Sequence, residues 1–146
     1  MTRTTPIGLL TQTNSSKVTI VPRLIAAVPL IGINIMHLTG AAPLEPILIG
    51  AGIPMPGINA IIGPIFGVLA GVLILSGAFA RVGSVIAIGS MFMALFAHVR
   101  FDWADEPLIV LPIAVIAASA WVISKGAGAW SVDGRTAALT VDAQPA

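Results

Sequence analysis

Residues 58–81 read INAIIGPIFGVLAGVLILSGAFAR, with no charge before Arg81. A bilayer-spanning helix needs about 20 mostly apolar residues. This run is long enough and apolar all round, so it is expected as a transmembrane helix over about 58–80. The rest of the chain follows the same logic. Residues 24–43, 82–99 and 107–124 are also uncharged. Together they predict four spans, at about 22–42, 58–80, 82–99 and 107–125. The stretch 46–57 has three prolines and three glycines and is expected as a loop or re-entrant segment at the surface.

Composition supports this reading. Hydrophobic residues make up 57% and charged residues 9%, with a mean hydropathy of +1.02. Soluble domains are about 25% charged, so too few charges are present to cover a water-facing surface. Intrinsic disorder needs the opposite balance. A net charge of +1 provides no basic face for nucleic acid. The absence of cysteine removes disulfide, thiolate and Fe–S chemistry. Membrane barrels need alternating strands of about ten residues, and these runs do not alternate. The expected fold is an all-α membrane protein, a four-transmembrane-helix bundle. It divides into a polar N-terminal arm (1–21), the helical domain (22–126) and a C-terminal tail (127–146).

Lysine and arginine set the expected orientation. Arg3, Lys17, Arg23, Arg81, Lys125 and Arg135 fall on one side of the four spans and only Arg100 on the other. The positive-inside rule therefore puts both termini in the cytoplasm. The opposite side collects Glu45, Asp102, Asp105 and Glu106. The arm 1–18 lacks the compact apolar core of a cleaved signal peptide.

Helix contacts in lipid rely on close approach and hydrogen bonding. Gly63, Gly67 and Gly71 recur every four residues along the second span and predict a face on which another backbone packs closely. Gly83, Ala87, Met91, Ala94 and His98 form a similar line on the third span, and Ala114, Ala117, Ala118 and Trp121 a weaker one on the fourth. Pro29, Pro64 and Pro112 interrupt the helical hydrogen-bond ladder.

His37 and His98 are the only histidines, and both are expected near the outer ends of helices that run outward. Asn34 lies one turn below His37. Arg100, Asp102, Trp103, Asp105 and Glu106 follow His98. Ionisable groups at membrane depth mark candidate functional sites. Three roles are open to the histidines. They cap the bundle by bonding main-chain carbonyls, or they serve a quinone or other small-ligand site as proton acceptors, or they ligate haem b as an axial pair. The candidate cofactor-binding set is His37, His98, Arg100 and Trp103; no catalytic or metal-binding residue is assigned. Dinucleotide, phosphate-loop and hydrolase-elbow motifs are absent. Trp103, Trp121 and Trp130 are expected at the membrane interfaces.

These residues resemble the DoxX-like membrane proteins, small four-helix proteins of bacteria and archaea. Arg23 opens the first helix, and His37 stands near its end with a glycine soon after. Gly52-Ile53-Pro54-Met55-Pro56 is similar to the family's Gly-Leu-Pro-x-Pro loop. Gly77-Ala78-Phe79-Ala80-Arg81 is similar to its Gly-x-x-x-Arg. His98 ends the third helix, and the stretch from Gly126 to Asp133 resembles a Gly-x-Gly-x-aromatic-Ser-x-Asp ending. The resemblance implies a plasma-membrane subunit of a quinone-linked redox assembly, such as thiosulfate:quinone oxidoreductase, working beside other membrane subunits. Many members carry a lysine after the first histidine and a glutamate in the second helix. Here Leu38-Thr39-Gly40 and Ala70-Gly71 stand in those regions, which shifts weight from catalysis toward a structural subunit. The rival reading is a purely structural accessory protein that docks or seals a larger respiratory or photosynthetic complex.

Overall fold

The structure, a computed structural model, describes residues 16–100 and 109–135. Among them are the helices α1 (Ile20–Leu38), α2 (Glu45–Gly50), α3 (Pro56–Ser76), α4 (Ala80–Arg100) and α5 (Val110–Lys125). No strand occurs among the described residues. Helices α1, α3 and α4 are each long and apolar enough to cross a membrane, whereas α5 has 16 described residues. At 1.5 Å per residue, the 21 residues of α3 and of α4 reach about 31 Å, enough for a hydrocarbon core of about 30 Å.

The four long helices close a ring in which α1 packs on α3, α3 on α4, α4 on α5 and α5 on α1. Small residues dominate the core: Ala26, Ala27, Ala70, Ala87 and Ala118 surround Leu30, Ile74 and Val115. Small side chains bring the backbones together, and dispersion then acts over many short contacts. The outside is apolar, with Ile61, Phe66, Val85, Phe92 and Ile113 all at least half exposed. An all-helical bundle whose exterior is apolar suits lipid rather than water, as expected of a multi-pass membrane protein.

Glycine backbone geometry decides where helices stop. The first helix ends at Leu38 rather than near 42, because Gly40 turns left-handed at φ 78°. The second long helix ends at Ser76 rather than near 80, with Gly77 left-handed at φ 71°. A left-handed residue after the last turn stops helical propagation and is easiest for glycine. The stretch 46–57, expected as a loop or re-entrant segment at the surface, holds most of the short helix α2. Its Leu48, together with Ala51 and Ile53, packs on Ala97 of α4.

Chain direction alternates around the ring. Arg23 near the start of α1 bonds carbonyls of Ile74 and Ala127, so the end of α3 and the exit from α5 lie beside the beginning of α1. The N–H of Ala129 donates to Ser16 O at 3.3 Å. The described chain therefore enters and leaves the bundle at one end, called here the Arg23 end. The helix α2 covers the other.

Candidate functional site

A cavity of about 320 Å³ lies beneath α2. Two glycines border it. Positions 63 and 89 line it as glycines, and a Cβ built at either meets nothing within 4 Å. Pro64, also on the wall, lacks the N–H that would close the helical ladder there. Leu44, Leu48 and Ile53 roof the space, and Met91, Met93 and Ala94 of α4 form one side. Most of the wall is therefore apolar, with four polar side chains set into it: Asn34, His37, Asn59 and Ser90.

Each of these four donates to a main-chain carbonyl. His37 Nδ1 lies 2.7 Å from Ala42 O. A carbonyl can only accept, so Nδ1 carries the hydrogen and Nε2 of the neutral ring is an acceptor. Asn34 Nδ2 donates to Leu30 O at 2.6 Å, Asn59 Nδ2 to Pro54 O at 2.7 Å, and Ser90 Oγ to Ala87 O at 2.9 Å. Gly67 makes room for the Asn34 amide: a Cβ there would stand 2.3 Å from its Nδ2. The glycine stripe of α3 thus does three jobs. Gly63 borders the cavity, Gly67 admits Asn34, and Gly71 lets Ile31 and the Ala27 carbonyl approach.

The sequence-derived candidates separate. His37 lines the cavity and His98 does not. His98 Nδ1 instead bonds Ala94 O of its own helix at 2.8 Å. Arg100 lies beside the roof rather than in the wall: its guanidinium stands over the Phe96 ring at 5.9 Å, and Nη2 lies 3.8 Å from where a Cβ of Gly52 would be. Trp103, with Asp102, Asp105 and Glu106, lies outside the described residues. No cluster of three metal-ligating side chains occurs among the described residues. Asn59, Ser90 and the two methionines were not read as site residues from the sequence. Asn59 and Ser90 are polar residues within uncharged runs, and that was the only signal they carried.

A second polar centre lies at the Arg23 end. Arg23 is 3% exposed, although it belongs to an apolar helix. Its Nε donates to Ile74 O at 2.9 Å, Nη1 to Ala127 O at 3.2 Å and to Trp130 O at 2.7 Å, and Nη2 to Leu75 O. One planar fork with five N–H groups thereby satisfies carbonyls at the end of α3 and after α5 together. Residues 127–135, placed with the tail by composition, pack into this centre: Ala127, Ser131 and Asp133 are buried. Gly77 is required here, because a Cβ would lie 2.4 Å from Ser131 Cβ.

Asp133 completes the lock. Its Oδ1 accepts the Phe79 N–H at 3.1 Å, and the Ala80 N–H bonds the same carboxylate. Its own N–H donates to Gly77 O at 3.1 Å. The carboxylate thus caps the start of α4, where the helix dipole favours negative charge. Burial raises the Asp133 pKa above its ordinary 3.8, against the opposing pull of the Phe79 and Ala80 N–H groups and the Arg23 and Arg81 charges. Lys17 stands over the exposed Trp130 ring at 5.6 Å.

Comparison with protein-family models, with curated proteins and with solved structures found no match to this chain.

Proposed function

We propose that this chain is a small integral subunit of a quinone-linked redox assembly in the plasma membrane of a bacterium or archaeon, and that the cavity under α2 receives a quinone ring. The cavity itself is the observation that carries this reading. Its roughly 320 Å³ fall within the range of about 300–1,000 Å³ common for small-molecule sites, which combine apolar walls with a few polar groups. The resemblance to DoxX-like proteins points to the same ligand class. The Lys/Arg distribution supports a cytoplasmic Arg23 end, which puts the cavity in the outer half of the bilayer. In this reading His37 is the polar contact to the ring, and Arg100 stands beside the roof.

The test is the ligand content of the full-length protein purified from its native membrane. Extraction and chromatography should recover quinone in near-stoichiometric amount. Gly63→Leu should fill the cavity and abolish that recovery while leaving a folded, monodisperse protein. A wild-type protein without quinone that co-purifies stoichiometrically with a large complex would replace this reading with that of a structural accessory subunit.

A further inference from the structure

Gly89 belongs to two surfaces at once. It lines the cavity under α2, and it sits on the outward face of α4. The helical repeat establishes the second point. Val85, Phe92 and Met93 lie four before, three after and four after Gly89, and each is half or more exposed. Residues at those spacings share one helix face. Gly89 is itself exposed, and a Cβ there would meet nothing within 4 Å. Met93 likewise lines the cavity while half exposed. At Gly89, therefore, the wall has no side chain of its own to screen the cavity from lipid. The roof is different: Leu48, Ala51 and Ile53 are buried together with Ala97. Depth matters as well. Gly89 is the tenth of the 21 residues of α4, about 14 Å from the helix start. That is close to the middle of a hydrocarbon core of about 30 Å.

We propose that Gly89 is a side window from the cavity into the bilayer, and that the ligand is a lipid-dissolved molecule with a compact head and a long apolar tail. The head occupies the cavity beside Asn34, His37 and Ser90, and the tail passes out over Gly89, beside Met93, into hydrocarbon. This rests on the reading of the cavity as a quinone site. It adds the class of quinone, one with a long tail, and the route, sideways from lipid rather than from water. Two physical reasons favour a tail. A cavity of about 320 Å³ stands at the lower end of the small-molecule range, with room for a ring and not for a long chain as well. A tail that leaves through a window at mid-bilayer depth also keeps its methylenes out of water throughout, so their burial is never lost.

Two probes test this on the full chain in lipid nanodiscs: a benzoquinone carrying a decyl tail, and the same ring without the tail. Affinities are compared between variant and wild type for each probe, which cancels its partition into lipid. Gly89→Leu sets a side chain across the window on the outward face. It should weaken the decyl probe by about tenfold or more through a clash with the tail, and leave the tail-less ring within about twofold. Gly89→Ala should act in the same direction with a smaller loss. Val85→Leu, one turn away on the same face and outside the cavity wall, should change neither probe. Gly63→Leu should abolish binding of both. If Gly89→Leu spares the decyl probe, or weakens both probes equally, while Gly63→Leu abolishes both, the window is overturned and the cavity remains a quinone site. If neither probe binds the wild type, or Gly63→Leu changes nothing, the window and the reading beneath it both fail. Should Gly89→Leu not fold, Gly89→Ala decides: an equal effect on the two probes, or none on the decyl probe, overturns the window.

Discussion

The two ends of the bundle solve opposite problems with similar materials. At the Arg23 end, one guanidinium gathers carbonyls from α3 and from the segment after α5, and Asp133 caps α4. At the α2 end, polar side chains bond carbonyls of their own helices or of adjoining turns. Glycine shows the same contrast. Gly77 and Gly83 are needed because neighbours crowd them, whereas Gly63 and Gly89 face open space. Long-range bonds close one end, and local bonds at the other border a cavity.

The largest expected effect comes from breaking the closed end. Arg23→Met removes every guanidinium bond and leaves the carbonyls of Ile74, Ala127 and Trp130 without that partner in a buried setting. Hydrogen bonds to charged groups contribute about 1.5–3 kcal/mol each, so the loss should exceed about 3 kcal/mol. Thermal unfolding in mild detergent should show a large drop in Tm or no folded species. Arg23→Lys should not restore stability, because an ammonium group cannot reproduce the planar fork. A Lys variant as stable as wild type would mean that charge alone holds this end.

Next in size is the α3–α4 contact. A Cβ at Gly83 would lie 2.8 Å from Leu73 Cβ and 2.9 Å from Ala70 O. Gly83→Ala must therefore push the α3 and α4 backbones apart, an overpacking cost of about 1–3 kcal/mol that better helix propensity only partly offsets. Chemical unfolding of the detergent-solubilised protein measures this. A neutral result would show that α3 and α4 separate easily.

Asp133 gives a smaller, pH-resolved effect. Its folded pKa is raised above 3.8, so just above that pH the folded chain holds a proton that the unfolded chain has released. Its contribution to stability is therefore full below 3.8 and is lost as pH rises through the raised value. Asp133→Asn keeps an acceptor for the Phe79 N–H and should remove this pH slope, with near-wild-type stability at neutral pH. Asp133→Ala also loses the cap and should be less stable by about 0.5–2 kcal/mol. Unfolding curves collected across the acid range distinguish the two variants.

The smallest effect tests the open end. Gly63→Ala meets no neighbour within 4 Å and removes a helix-interior glycine, so it should stabilise the fold by up to about 1 kcal/mol. Set beside Gly83→Ala in the same unfolding assay, it should move stability in the opposite direction. Destabilisation at both positions would erase the distinction between the ends.

Much of the fold was legible because its signals are local. Uncharged runs located the helices to within a few residues, and Gly77 and Gly40 lie where helices stop. One signal was incomplete and also local. The prolines and glycines of 46–57 pointed to a loop or re-entrant segment at the surface, and within it Leu44, Leu48 and Ile53 supply enough apolar surface to fold a short helix against Ala97. Of the site, His37 and its neighbour Asn34 were visible as polar residues on one turn of an apolar helix. Asn59 and Ser90 carried the same signal more faintly, and their convergence with His37 depends on which faces of α3 and α4 turn inward.

The sequence by itself determined an apolar, helical, membrane-suited chain, because hydropathy and charge spacing act residue by residue and need no partner. Only the tertiary structure decided what each equivalent-looking residue does. Gly63, Gly67 and Gly71 share one spacing yet meet empty space, an amide, and the Ile31 side chain with the Ala27 carbonyl in turn. Arg23 reads as an inside-flanking charge but is the hub that joins the end of α3 to Ala127 and Trp130, which lie more than a hundred positions from Arg23 itself. The reason is physical. A side chain's role in a packed bundle depends on which atoms the neighbouring helices bring within about 3–4 Å of it, and only the assembled ring of helices fixes those distances.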